Sequence, residues 1–294
     1  MSTAVATEPH RHATATKPGK LTFAHLLRSE WIKFWTVRST FWTLGVFLVA
    51  MVALTPLITL AFNNAPPASE GGPTAADLDP LNTFQVGIWL GQFAVAILGA
   101  LTITGEYTTG MIRTSLTAAP KRLPVLWSKA VVAGASMFAF ALIAVAASAG
   151  VQWVFFHNVG LNVDLGDSQQ VRALAGMALY IATIGMLAFA FGALMRHSAA
   201  AVSTILGLVL LVPIILQVIP WNPTKELAYF LPGSMFGLPS AGPLITMTDQ
   251  QIAQMQAGQT IGAQLTAWQG YGVLVAWVVV VLAIAAVLLK RRDA

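Results

Sequence analysis

Residues able to do chemistry are few in this sequence, and the densest group lies in one short stretch. Thr104-Gly105-Glu106-Tyr107-Thr108-Thr109-Gly110-Met111-Ile112-Arg113-Thr114 continues through Pro120-Lys121-Arg122 to Lys129. It sets a carboxylate, an arginine and three further cations between two long apolar runs. Such an island either turns the chain around or receives force from something outside the membrane. Elsewhere the inventory is thin. Cysteine is absent, which removes disulfides, thiolate metal sites and cysteine nucleophiles together. There is no Gly-x-x-x-x-Gly-Lys-Ser/Thr phosphate loop, no His-Glu-x-x-His and no Gly-x-Ser-x-Gly. No catalytic residue, bound cofactor or metal is therefore expected on this chain. His10 and His12 read as solvated tail residues, and His157 and His197 as interfacial ones.

The elements that hold this island are apolar. Of 294 residues 56% are hydrophobic and only 9% charged, and the mean hydropathy is +0.72. Soluble domains carry about 25% charged residues, so the composition is that of an integral membrane protein. The pI near 9.7 would suit nucleic acid on a soluble domain. Here the cations fall beside apolar runs, which fits membrane anchoring and not a nucleic-acid partner.

Residues 1–20 hold almost nothing large and apolar and should form a disordered tail. Residues 21–40 predict an amphipathic helix, with Phe23, Leu26, Leu27, Trp31, Phe34 and Val37 on one face and His25, Arg28, Ser29, Lys33 and Thr36 largely opposite. Trp31, Trp35 and Trp42 suit the headgroup layer; a cytoplasmic extension of the first span is the alternative. Glu30 falls within the apolar face and needs a cation, for which Lys33 or Arg113 would serve.

From residue 41 to 294 the chain reads as one membrane domain. Crossing about 30 Å of hydrocarbon takes about 20 residues, and six runs suffice: 41–62, 84–103, 128–156, 174–195, 199–219 and 268–289. Pro56 and Pro213 should kink the first and fifth. Lys and Arg then set the orientation. Six precede the first span, four lie between the second and third, Arg196 follows the fourth, and Lys290, Arg291 and Arg292 end the chain; only Arg172 and Lys225 remain for the other side. The positive-inside rule places both termini in the cytoplasm. Of the outer segments, 220–267 contains the apolar stretch Leu231–Pro239, read as re-entrant and covered by protein, and then a polar helix over 249–266, with a flexible loop as its alternative.

Charge is missing from the middles of the spans, which disfavours a proton- or sodium-driven carrier, since such carriers bind their ion on buried carboxylates. Uncharged polar groups do occur there. Gln85 and Gln92 share a stripe of the second span with Trp89, and Ser203, Gly207 and Gln217 share one on the fifth. Both patterns fit the wall of a path for an amphipathic solute. Taken residue by residue, they fit rather better the small-residue and amide contacts between packed helices.

Ser29-Glu30-Trp31-Ile32-Lys33, leading through Val37-Arg38-Ser39-Thr40 to the first span, and Gly105-Glu106-Tyr107-Thr108-Thr109-Gly110-Met111-Ile112-Arg113-Thr114 together resemble permease subunits of type-2 ABC exporters. The likeness is closest to actinobacterial members linked to drug, antibiotic or peptide efflux. It covers nearly the whole chain. The resemblance implies an all-α fold with an N-terminal connecting helix, six spans, a short cytoplasmic coupling helix and a re-entrant segment before the last span. It implies a multi-pass protein of the plasma membrane that pairs with a second permease copy, the same or different. Each copy would sit on a separate ATP-binding subunit carrying ATP and magnesium. It assigns the ATPase contact to Glu106, Thr108, Thr109, Gly110, Met111, Ile112, Arg113 and Thr114, with Arg28 or Arg38 of the connecting helix as partners of Glu106. It gives the path to the second and fifth spans. A non-transporting membrane scaffold or immunity protein of the same topology is the alternative.

Overall fold

In hydrocarbon every backbone N–H and C=O must be bonded within its own segment or within a closed barrel. Long runs of Leu, Val, Ala and Ile with no alternation of polar residues therefore have one solution. The computed structural model describes residues 22–64, 70, 79–111, 122–157, 162–219, 221–233, 240–257 and 264–291, and these are helical throughout apart from short connections. In chain order the helices are α1 (Phe23–Thr36), α2 (Arg38–Asn63), α3 (Asn82–Thr108), α4 (Arg122–Phe156), α5 (Ser168–Met195), α6 (Ser198–Leu206), α7 (Val212–Val218), α8 (Asn222–Tyr229), α9 (Asp249–Ala257) and α10 (Ala267–Arg291). A π-helical turn, Gly207–Leu211, joins α6 to α7, and a 3-10 turn, Gly242–Thr246, precedes α9.

Six segments are long and apolar enough to cross a membrane: Thr40–Ala61, Asn82–Thr108, Leu123–Phe156, Ser168–Met195, Ser198–Leu216 and Ala267–Arg291. They correspond one for one to the six runs read from the sequence. At about 1.5 Å per residue the 35 residues of α4 reach about 52 Å, well beyond the hydrocarbon thickness, so one end must project from it.

Helix α5 is the centre of the bundle. Its most apolar stretch is 72% buried, against 28% for the first span and 22% for the fifth. It packs on α3, α4, α6, α10 and the 3-10 turn. The reason lies in its small residues, which let neighbouring backbones come close. A Cβ added to Gly99 of α3 would fall on the carbonyl oxygen of Gly185, and one added to Gly176 on that of Ile245. Large side chains then fill the spaces between: Phe84, Phe189, Met137, Met177, Ile181 and Ile184 are all fully buried.

The fifth span departs from a regular helix where proline requires it. Pro213 has no N–H to donate, and its ring would clash with the carbonyl one turn earlier. The preceding turn widens instead, and Val212 N–H reaches the carbonyl of Gly207, five residues back. Pro56 lies in the interior of α2. Nearby, the Thr55 and Thr59 hydroxyls donate to the carbonyls of Met51 and Thr55.

At the end of the bundle away from α1, two stretches of the chain between α7 and α10 are covered by protein. Leu231, Pro232 and Gly233 are buried, and Ala241, Leu244 and Ile245 are fully so, with the 3-10 turn held against α5 and α10. Residues 234–239 of the apolar stretch lie outside the described residues. The polar helix read over 249–266 is shorter, ending at Ala257, with residues 258–263 outside the described set. Arg172 fastens α9 to α5 through Asp249 Oδ1 at 3.0 Å and the Met247 carbonyl at 2.9 Å.

Backbone-to-backbone contact leaves no room for compensation by rotamer change. Gly99→Leu should therefore cost more than the roughly 1–3 kcal/mol of ordinary overpacking and abolish the monodisperse folded peak in detergent gel filtration. Gly45→Leu, where nothing lies within 4 Å, should leave that peak in place.

Candidate functional site at the end carrying helix α1

Four charged side chains from three elements meet where α1 crosses the ends of α3 and α4. Glu30 and Lys33, three residues apart, share one face of α1. Glu106 lies in the last turn of α3, and Lys129 two turns into α4. Lys33 Nζ is 3.0 Å from Glu30 Oε1 and 3.2 Å from Glu106 Oε1. Lys129 Nζ is 2.5 Å from Glu30 Oε2 and 2.8 Å from Glu106 Oε1. The contacts close into a ring of alternating sign with no net charge. Its side chains are 5% (Lys129), 6% (Glu30), 10% (Glu106) and 32% (Lys33) exposed. Glu106 Oε2 is the one carboxylate oxygen of the four that is buried without a partner.

Burial on its own would lower the Lys33 pKa, but Glu106 and the hydrogen bond to Glu30 outweigh it, and the net direction is upward. A raised lysine contributes stability that is fully present below its ordinary pKa. The contribution is lost only as pH rises through the folded value. Lys33 is thus charged across the whole physiological range.

Beside the ring lies a cavity of ≈ 370 Å³, lined by Glu30, Lys33, Phe34, Leu98, Leu101, Thr102, Glu106, Thr109, Lys129 and Val132 among others. Three of its polar walls are threonines whose hydroxyls donate to their own helix: Thr36 to the Lys33 carbonyl, Thr102 to Leu98 and Thr109 to Gly105. On the other side of Glu106, the Arg196 guanidinium lies 5.5 Å from the centre of the Tyr107 ring. Arg196 itself adopts a left-handed backbone, φ 58°, as it ends α5. The turn between the fourth and fifth spans is thereby docked on the same end of α3.

The face of α1 read as apolar is only partly the buried one. Phe34 is buried and Leu26 and Leu27 are half-buried, but Phe23, Trp31 and Val37 are exposed. Glu30 does find Lys33, one of the two cations proposed for it; the other, Arg113, lies outside the described residues. The expected partnership of Glu106 with Arg28 or Arg38 is corrected. Arg28, two residues from Glu30, points about 200° away from it around the helix and is exposed, and Arg38 is exposed in the first turn of α2. Lysines 33 and 129 take the role instead. The pairing of Lys129 with Glu30 was missed, although the signal was present: a lone lysine set inside an apolar run demands an anion.

Of the proposed coupling residues, Thr108, Thr109, Gly110 and Met111 are exposed at the end of α3, with Gly110 in the left-handed region at φ 72°. Ile112, Arg113 and Thr114 lie outside the described residues. The path residues separate. Gln92 is 1% exposed and accepts a 2.8 Å hydrogen bond from Tyr180, which makes it a contact inside the bundle. Gln85 donates to Thr246 at 3.4 Å. Trp89 is half-buried, edge-on to Phe93. Ser203 is exposed and Gly207 faces open space. The Gln217 side chain is outside the described set. Among the described residues no group of three or more His, Cys, Asp or Glu could hold a metal ion.

Breaking a buried ion pair from one side leaves an uncompensated charge and costs about 3–5 kcal/mol, whereas removing both partners together is close to neutral. Lys129→Met should accordingly lower the melting temperature of the detergent-solubilised protein. The double variant Glu30→Leu/Lys129→Met, which leaves Lys33 paired with Glu106, should recover more than half of the loss.

No curated protein sequence matches the chain significantly. The profile of the ABC-2 family transporter proteins matches residues 24–294, from the first turn of α1 through all six spans. The chain belongs to the ABC-2 transporter family, a family of membrane subunits that work with a separate ABC ATP-binding subunit.

Proposed function

We propose that this protein is the permease of an ATP-driven exporter of the plasma membrane, and that the ion ring is the joint through which its ATP-binding partner moves it. The observation that carries this reading is the ring itself. It ties α1 at once to the last turn of α3 and the second turn of α4, the two helices whose connecting loop holds the proposed coupling segment, Thr108 to Thr114. A push on that loop reaches α1 through charge-assisted bonds instead of through sliding apolar contacts. In this reading the α1 end faces the cytoplasm, in keeping with its lysines and arginines. ATP and magnesium are bound on the partner subunit. The buried turn before α9 is a re-entrant segment of the outer leaflet.

A second permease copy, identical or not, completes the assembly. The sparsely buried first and fifth spans leave ample apolar surface for lipid and for that copy. Ser203 and Gly207 are the small and polar positions open to a path for an amphipathic or hydrophobic compound such as a drug, antibiotic, peptide or lipid. Gln92, bonded to Tyr180, serves the packing of the wall behind it.

The chain has no cysteine, so orientation can be read directly. Thr109→Cys should react with a membrane-impermeant maleimide only from the cytoplasmic face of vesicles, and Asp164→Cys only from the outer face; the reverse pattern defeats the assignment. Coupling is tested on the permease co-purified with its ATP-binding chain. Glu106→Gln should reduce the stimulation of ATP hydrolysis by the permease about tenfold while the complex still assembles. Unchanged stimulation, or purification without any nucleotide-binding chain, would leave the scaffold reading in its place.

A further inference from the structure

The cavity beside the ring has a polar wall that is already engaged, except at one threonine. The four ring residues satisfy one another, each lysine contacting both carboxylates, and their charges cancel. The idle Oε2 of Glu106 is closed off and offers the cavity nothing. Thr36, Thr102 and Thr109 give their hydroxyl protons to carbonyls three or four residues back on their own helices. Thr43, the fourth lining threonine, also has a partner. Thr40 is different. Its hydroxyl has no partner among the described residues, although Thr40 is only 6% exposed and lines the cavity. The break between α1 and α2 is the cause. Val37 is extended, at φ −78° and ψ 115°, so Thr40 falls in the first turn of α2, where the Val37 carbonyl takes its backbone N–H at 3.1 Å. The carbonyl four residues back belongs to α1, across the break, and the usual outlet for a helical threonine is missing. The rest of the wall is apolar. Phe34, Leu98, Val132 and Ala133 are buried on its floor, and the exposed Val37, Leu101 and Met111 rim it.

We propose that this cavity binds an uncharged amphiphile by its hydroxyl head, which accepts a hydrogen bond from Thr40, with the tail against Leu98 and Val132. A hydroxyl takes the idle Thr40 proton and has one of its own to give to the lone pairs of the neighbouring threonine hydroxyls. Charge is the property that discriminates. A head of either sign would enter without a counter-ion, because every charge of the ring already has two partners of opposite sign. An unpaired ion in a largely apolar cavity is costly, whereas an alcohol that finds hydrogen bonds there is not. The volume of ≈ 370 Å³ falls within the roughly 300–1,000 Å³ of small-molecule sites. The apolar rim admits the ligand from the surrounding bilayer. Nothing in this proposal depends on the permease reading or on coupling to an ATPase.

The test uses the purified full chain in phosphatidylcholine nanodiscs, photolabelled with a dodecanol that carries a diazirine on its tail. Label should fall on peptides containing residues 98–102 or 132–133. Unlabelled 1-dodecanol should displace it at a bilayer concentration at least tenfold lower than dodecylammonium or dodecanoate, which share its tail. Thr40→Val keeps the shape of the side chain and removes the hydroxyl. It should weaken dodecanol about fivefold, the worth of one ordinary hydrogen bond, and leave the two ions unchanged. Thr102→Phe should fill the cavity and abolish labelling at these peptides. Because Thr40→Val is isosteric, its result stands even where Thr102→Phe fails to fold. Equal competition by the alcohol and either ion overturns the proposal, as does undiminished competition by dodecanol in Thr40→Val. Dilauroylglycerol then separates the sources. Competition as strong as that of dodecanol identifies a neutral glyceride of the bilayer, and competition by dodecanol alone identifies a single-chain alcohol.

Discussion

A charge taken out of water must be neutralised where it lies, since the cost of an isolated ion in a poorly polarisable medium exceeds what packing can return. Around Glu106 that constraint organises everything at one end of the bundle. Lys129 is two turns inside an apolar helix and nearly closed to solvent, so a carboxylate must be brought to it. Glu30 comes from α1 and Glu106 from α3, and with two carboxylates present a second cation must follow, which Lys33 provides. The register of α1 against the spans is set by this requirement. Sliding α1 by one residue along α4 would break its two contacts to the spans, Lys33–Glu106 and Lys129–Glu30, and leave each charge with one partner instead of two, whereas a purely apolar interface would tolerate it.

The opposite end of the protein meets the same demand for satisfied polar groups by other means. Beside the Arg172–Asp249 pair, neutral amides serve there: Gln152 donates to Thr83 and to the Pro80 carbonyl, and Gln251 to Asp79 and Asn82. Each of these bonds joins segments far apart in the chain. Between the two polar ends the bundle depends on α5 and its small residues, because in lipid close approach replaces the hydrophobic drive that holds soluble helices together. The ionic joint is thus seated on a rigid central helix, through α3 and α4, which both pack against it.

How much of this was legible from sequence follows from the physics of each feature. The six spans were legible because length and apolarity are local properties; every boundary fell within about six residues of the structure. The need of Glu30 for a cation was legible for the same reason, as a local violation of an apolar face. Its second partner was not, because Lys129 is 99 residues away and only the tertiary fold brings it near. Arg28 and Arg38 were plausible by charge alone, but both are exposed, and Glu106 contacts Lys33 and Lys129. Gln92 shows the ambiguity of amides in spans. The stripe it shares with Trp89 fits both a solute path and a helix contact, and the Tyr180 hydroxyl, 88 residues on, decides for contact. The π turn before Pro213 had a visible cause, but a proline specifies only that the helix must yield, and not in which direction.

Ionic joints and apolar joints transmit force differently. Dispersion contacts are shallow and numerous, so an interface made of them creeps from one packing to another with little resistance. A ring of four alternating charges has one arrangement of low energy, and every departure from it exposes an unpaired charge to an apolar surrounding. The helices it joins must then move together until the ring opens as a unit. Such an element is either closed or open, with little stability in between, which is the property required of a part that passes a mechanical state from a loop to a set of membrane spans. The exposed tryptophans of α1 add the complementary feature. In the proposed function they hold the outer face of the helix at one depth through weak interfacial contacts, while the charges on its inner face fix its position along the bundle. In the same proposed function, a displacement delivered through the ring carries α1 along the surface without pulling it out.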